Sequence, residues 1–123
     1  MSNPVVWFEI AATDLERAKK FYSEVFQLEM QYVDMPDSPM YMMGSSEDGA
    51  AGAGGALVKS VDNVPSTSGT MVYFYCDDVA VESARVEAAG GTLIVPKTSL
   101  GEFGFMAMFI DTEGNKVGMH SMA

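Results

Sequence analysis

The sequence predicts an α+β fold in which one βαβββ module is written twice in tandem. Three observations carry this. Two segments with helical apolar spacing each follow a short β-type run. Each is succeeded by three further β-type runs. The stretch WFEIAATD (7–14) lies over MVYFYCDD (71–78), each at the start of its round. Few letters match between the halves, so the order of elements carries the duplication.

In chain order, VVWFEI is a β-type run, and TDLERAKKFYSEVFQ follows with apolar residues at Leu15, Ala18, Phe21, Tyr22 and Val25, the spacing of one helix face. Thr13 with Glu16 three residues later forms a capping-box signature and places the helix start at Thr13. EMQYV, PMYMMG and GALVKS read as strands between turn-rich stretches. GSSEDGAAGAGG (44–55) is too rich in Gly and Ala to pack as a strand and reads as a loop. The polar SVDNVPSTSG is a linker, after which TMVYFYC opens the second round. DDVAVESARVEAAGG is helical, with Asp77 and Asp78 suited to cap its start and Gly90 and Gly91 to stop it. TLIVP, FGFMAMFID and NKVGMHS complete the set, with DTEGN as turn chemistry before the last strand. The expected organisation is one domain over 1–123, with module 1 at about 4–60, a linker at 61–69 and module 2 at about 70–123.

Composition narrows the partners. A formal charge of −10 argues against sequence-independent contact with phosphate backbones, so no nucleic-acid partner is expected. No segment approaches the roughly 20 apolar residues that cross a bilayer. The opening MSNPVVWFEI has no basic stretch before its apolar run, so neither a membrane partner nor a secretory role for it is expected. A single cysteine, Cys76, excludes an internal disulfide and fits a reducing cytoplasm. On strand parity it faces the core, as an inert thiol. The eleven methionines read as core filler at most positions, with an adaptable ligand cavity as the sharper alternative.

The segments WFEI…DLERAKKFYSEVF, GGALV, VYFYCDDV…VEAAGGT and GEFGFMAMFIDTEGNKVGMHS together resemble the vicinal oxygen chelate superfamily. That superfamily includes glyoxalase I, extradiol dioxygenases and bleomycin-resistance proteins, and the resemblance is strongest to small lactoylglutathione-lyase-related members. It covers almost the whole chain. It implies that the two modules form a half-open, barrel-like cleft, the glyoxalase/bleomycin resistance/dihydroxybiphenyl dioxygenase fold. The modules of such a cleft pair either within one chain or across a dimer. A homodimer is expected here, because half-open sheets leave strand edges and apolar rims to be covered.

Alternation along strands then predicts the cleft wall. In the first strand Val6, Phe8 and Ile10 go under the helix, leaving Trp7 and Glu9 on the concave side. In the fifth, Val72, Phe74 and Cys76 are core, leaving Met71, Tyr73 and Tyr75. In the last, Val117 and Met119 are core, leaving Lys116, Gly118 and His120. Matching Lys59-Ser60 with His120-Ser121 points Leu57 and Lys59 inward as well. Metal-dependent members of the resembled superfamily place histidine, glutamine or glutamate ligands at four cleft positions. These correspond to Trp7, about Leu57, Met71 and Gly118, none of which offers an imidazole or a carboxylate. No metal and no cofactor are therefore expected.

Two functions remain open. The first is a metal-free cleft that binds a small aromatic or amphipathic molecule through Trp7, Leu57, Lys59, Met71, Tyr73, Tyr75 and Gly118. The second is a lyase or isomerase related to lactoylglutathione lyase, with Glu9 and His120 as an acid–base pair or as part of a non-standard metal site. Glu9 and His120 are expected close together, directly or through one water. A plain structural pairing of Glu9 with His120 or Lys59 is the simpler account of an inward carboxylate.

Overall fold

A computed structural model describes residues 4–44 and 52–123. Most of the loop read at 44–55 lies outside the described residues. In module 1 the elements are β1 (Trp7–Ala11), α1 (Leu15–Phe26), β2 (Gln31–Val33), β3 (Met40–Met43) and β4 (Gly54–Val58). In module 2 they are β5 (Tyr73–Tyr75), α2 (Val79–Ser83), β6 (Thr92–Ser99), β7 (Phe105–Ile110) and β8 (Lys116–Ser121). The strands form two four-stranded sheets, ordered β1-β4-β3-β2 and β5-β8-β7-β6. In each sheet the first and last strands of the module run parallel and the other neighbours antiparallel. The duplicated α+β reading therefore holds at the level of topology.

The local chemistry departs from it in three places. Helix α1 is capped by Asp14, not Thr13: Asp14 has extended backbone and its side chain accepts from the Arg17 N–H at 3.0 Å. A carboxylate at this position also suits the helix dipole, and it leaves Thr13 free for the contact described below. Asp78 caps α2 in the same way, accepting from the Ala80 N–H at 2.9 Å. Helix α2 is regular only over Val79–Ser83 and then continues as turns to Gly90. Val81 and Ser83 are weak helix formers, and the Ser83 hydroxyl donates back to the Ala80 carbonyl. Gly54 and Gly55 belong to β4 and not to the preceding loop. The Phe8 ring lies 2.4 Å from where a Cβ on Gly55 would stand, so the strand needs glycine there.

One core serves both modules. The buried stripe of α1 is Ala18, Phe21, Tyr22 and Val25. Phe21 meets Phe109 of β7 at 5.5 Å between centroids, and Tyr22 and Phe26 meet Phe74 of β5 at 5.6 and 4.4 Å. Tyr41 and Leu57 of sheet 1 join the same cluster. Each fully buried aromatic or aliphatic side chain contributes roughly 1.5–3 kcal/mol, so α1 binds the two sheets together. With the helix faces of both sheets turned toward α1, their other faces point outward.

The turn between β7 and β8 closes this arrangement. The Asp111 carboxylate accepts from the buried Tyr22 hydroxyl at 2.7 Å and from the Asn115 amide at 3.0 Å. Asn115 donates to the Ala11 carbonyl at 2.7 Å and accepts from the Ser66 N–H at 3.0 Å. Glu113 accepts from Thr13 N–H and Oγ1–H and from Asp14 N–H at 2.8–2.9 Å, and from Arg17 Nε–H at 2.6 Å and Nη2–H at 3.0 Å. The segment read as plain turn chemistry is thus a clamp between modules.

Candidate functional site

Register sets out the open face of sheet 2 as two rows. One runs Tyr73, Gly118, Met108, Val95 across β5, β8, β7 and β6; the other runs Tyr75, His120, Met106, Thr98. Tyr73 and Tyr75 are 47% and 76% exposed, whereas Phe109, Val117 and Met119 on the opposite face are core. On sheet 1 the corresponding rows are Glu9, Ala56, Met42, Gln31 and Ala11, Val58, Met40, Val33. Trp7 stands at the end of this face, 38% exposed, and its indole N–H donates to Glu9 Oε2 at 3.3 Å. The face of sheet 2 is therefore a floor of methionine, aliphatic and aromatic side chains with one or two polar groups, whereas on sheet 1 Ala56 and Val58 are buried.

Parity placed Trp7, Glu9, Tyr73, Tyr75, Gly118 and His120 on the open faces, and the structure has them there. Val6, expected under the helix, is instead 70% exposed, because it precedes β1. Leu57 needs correction: it is fully buried in the core cluster and does not face a cleft. Ala12 N–H donates to Val58 O as Cys76 N–H donates to His120 O, which makes Val58 the counterpart of His120 and Ala56 that of Gly118. The alignment through Lys59 was one residue out of register, and a one-residue slip reverses every side chain. Lys59 lies beyond β4, exposed, in a separate recess with Pro39 and Val61. Met71 is half-buried beside Glu9 in a pocket under the linker.

Glu9 and His120 are not brought together within the chain. They sit on different sheets, and each has a nearer partner. Glu9 takes the Trp7 indole, and His120 Nε2 lies 2.6 Å from the Phe103 carbonyl at the tip of the β6–β7 hairpin. No ion pair joins Glu9 to His120 or to Lys59. The Tyr75 hydroxyl donates to Asp77 at 2.8 Å, a bond that raises its pKa. Cys76 is 1% exposed, and burial pushes its thiol up to about 12, so it is an inert core residue. The Tyr73 ring covers Gly118, with ring atoms 2.4–3.0 Å from where a Cβ would be. Reading by strand overlooked Met106 and Met108. Their signal was the alternation in FMAMF, where Ala107 and Phe109 are core.

A family model described as the Glyoxalase/Bleomycin resistance protein/Dioxygenase superfamily matches residues 5–119. The chain belongs to that superfamily. Among its relatives, a glyoxylase-like domain-containing protein of Didymella fabae is 36% identical over 114 residues, covering 87% of this chain and 84% of that protein. A putative glyoxylase of Mycobacterium tuberculosis, CFP32, is 28% identical over 117 residues; the match covers 92% of this chain but 43% of the relative, so the chain spans less than half of it. Superfamily structures superpose closely. TnmS3, an antibiotic binding protein from Streptomyces sp. CB03234, shares 25% identity with a TM-score of 0.74 over 100% of this chain and 99% of that one. Glyoxalase I from Zea mays shares 20% identity with a TM-score of 0.74 over 97% of this chain and 46% of that one. Among the described residues, no helix is long and apolar enough to cross a membrane.

Proposed function

We propose that this superfamily member binds a small aromatic or amphipathic molecule in a metal-free cleft, and that a second copy of the chain completes the cleft. The observation that carries the reading is the pair of rows on sheet 2, where exposed Tyr73 and Tyr75 flank Met106 and Met108 around a single imidazole. A planar apolar ligand gains stacking and dispersion on such a floor, while His120 supplies one directional polar contact. The likeness to an antibiotic binding protein over the full length of both chains supports the same class of ligand.

Donor chemistry supports the metal-free part. The positions corresponding to the superfamily's ligands are Trp7, Ala56 (in place of Leu57), Met71 and Gly118. A divalent ion of the Ni, Zn or Fe type needs several imidazoles or carboxylates converging, and these side chains provide none. The Tyr73 ring also fills the space in which a side chain at 118 would start. These residues do not fit the metal.

The dimer follows from the outward direction of the open faces. Face 1 leaves Trp7 38% exposed and face 2 leaves Tyr73 and Tyr75 47% and 76% exposed, aromatic surface that a second copy would cover. Equilibrium sedimentation at micromolar concentration is expected to give twice the chain mass. A monomer throughout that range would overturn this part of the reading.

The binding test uses 8-anilinonaphthalene-1-sulfonate as an aromatic, amphipathic probe and the single tryptophan as donor. Saturable binding is expected in the micromolar range, unchanged by prior dialysis against EDTA. Tyr75→Ala and Met106→Ala should each weaken it by about tenfold, the loss of one stacked or dispersive contact of roughly 1–1.5 kcal/mol. Absence of saturation, or loss of binding on EDTA treatment, would overturn the proposal.

A further inference from the structure

A pocket of about 330 Å³ lies where the end of β1, the start of β8 and the segment 63–72, the linker with the first residues of module 2, meet. Ala11, Met71 and Val72 contribute apolar lining, and Glu9, Lys116, Thr67 and Thr70 contribute polar rim. The volume sits at the low end of small-molecule sites, which run to roughly 300–1,000 Å³. It is made by one chain, at the seam of its two modules, apart from the aromatic rows on sheet 2.

The pocket contains two opposite charges that do not meet. Glu9 and Lys116 line the same small space, yet they form no ion pair, and so stand more than 4.0 Å apart. Among the described residues Glu9 takes a single hydrogen bond, the 3.3 Å contact from the neutral Trp7 indole. The Lys116 ammonium has no hydrogen-bond or ion-pair partner among the described residues. By contrast, Arg17 holds Glu113, Lys97 holds Asp78 and Arg85 donates to the Val25 carbonyl. The backbone sets where both side chains start. Lys116 N–H donates to the Ser66 carbonyl, which ties β8 to the linker, and Asn115 ties the same strand to Ala11 of β1. Two unpaired charges of opposite sign beside an apolar lining are complementary to a molecule that carries both charges on a short apolar spacer. Charge-assisted hydrogen bonds at each end would then hold it.

We infer that this seam pocket binds a small zwitterion, with its carboxylate on Lys116 and the threonine hydroxyls and its ammonium on Glu9. No residue of the rows on sheet 2 lines the pocket, although Glu9, Ala11 and Val58 belong to the rows of sheet 1.

Backbone amide chemical shifts of the 15N-labelled protein test this, with 4-aminobutanoate and 6-aminohexanoate as probes and hexanoate and hexylamine as single-charge controls. At least one ω-amino acid is expected to produce saturable shifts at Thr67–Thr70 and Lys116, with affinity about tenfold above either control. Lys116→Glu should abolish that preference. Glu9→Lys combined with Lys116→Glu should restore it, with the ligand reversed. The inference is overturned if neither ω-amino acid gives saturable shifts at these amides, or if the controls bind as well. It is equally overturned if the charge-swapped double variant binds no better than Lys116→Glu. An aromatic ligand on sheet 2 would instead be read at the Tyr75 and Met106 amides, so the two sites succeed or fail separately.

Discussion

Glu113→Ala is expected to lower stability by about 3 kcal/mol, the cost of leaving several donors without their charged acceptor. The Glu113 side chain is 0% exposed and accepts every hydrogen bond that ties the β7–β8 turn to the start of α1. Truncation leaves the Thr13 and Asp14 N–H groups and the Arg17 guanidinium without their acceptor. Arg17→Ala should cost less, because its side chain is 52% exposed and water can replace part of what it loses. The pH dependence separates this from simple loss of packing. Burial alone would raise the Glu113 pKa, but the bonds from Arg17, Asp14 and Thr13 outweigh it and hold the carboxyl at about 2 against an ordinary 4.5. A depressed folded pKa stabilises above the unfolded value, and the contribution disappears as pH falls through the folded one. The stability gap between the parent and Glu113→Gln should therefore stay constant down to about pH 4.5 and close between there and pH 2. Urea denaturation at intervals across that range measures it. A gap that does not change with pH would show that the charge of Glu113 contributes nothing.

This clamp explains what the sequence could and could not convey. The order of elements was legible because each is announced by local chemistry: apolar residues at helical spacing in α1, alternation in β1, β5 and β8, and capping residues near both helix starts, although Thr13 was read where Asp14 caps α1. Parity found the open faces wherever a strand had an unambiguous core face. It failed at β4, where all five residues are buried and alternation carries no contrast, so Leu57 was turned the wrong way. It failed more deeply for Glu9 and His120. Parity says which side of a sheet a residue takes, but not how two sheets face one another. That orientation depends on α1 reaching Phe74 and Phe109, contacts distant in sequence that no local pattern encodes. The DTEGN segment shows the same limit. Its turn residues were evident, whereas the partners of Asp111, Glu113 and Asn115 lie on α1, β1 and the linker.

Gly118→Glu, which would return a carboxylate to one of the four positions, is expected to destabilise the protein by about 3 kcal/mol and to bind no divalent metal. Gly118 is buried between Tyr73 and Met108 in its row, and a Cβ there would stand 2.4 Å from Tyr73 Cδ2 and 3.0 Å from Cγ. The near ring atoms cannot yield by a small adjustment, so the whole side chain must leave its position. Overpacking of this kind costs about 1–3 kcal/mol. A carboxylate set among the methionines of this face loses hydration without gaining a donor, for a further cost of about 1–3 kcal/mol. Gly118→Ala carries only the first cost and should lie near half the total. Tyr73→Ala alone should cost less than about 1 kcal/mol, since nearly half of the side chain is already in solvent. In a double-mutant cycle the two changes should couple strongly: Gly118→Glu in the Tyr73→Ala background recovers more than about 1 kcal/mol. Additivity, or a neutral Gly118→Ala, would mean that Tyr73 does not hold the position against a side chain. With coupling observed, the glycine is explained by its neighbour. Position 118 is empty because the tyrosine ring lies over it, and that ring forms part of the floor on which the proposed aromatic ligand would rest.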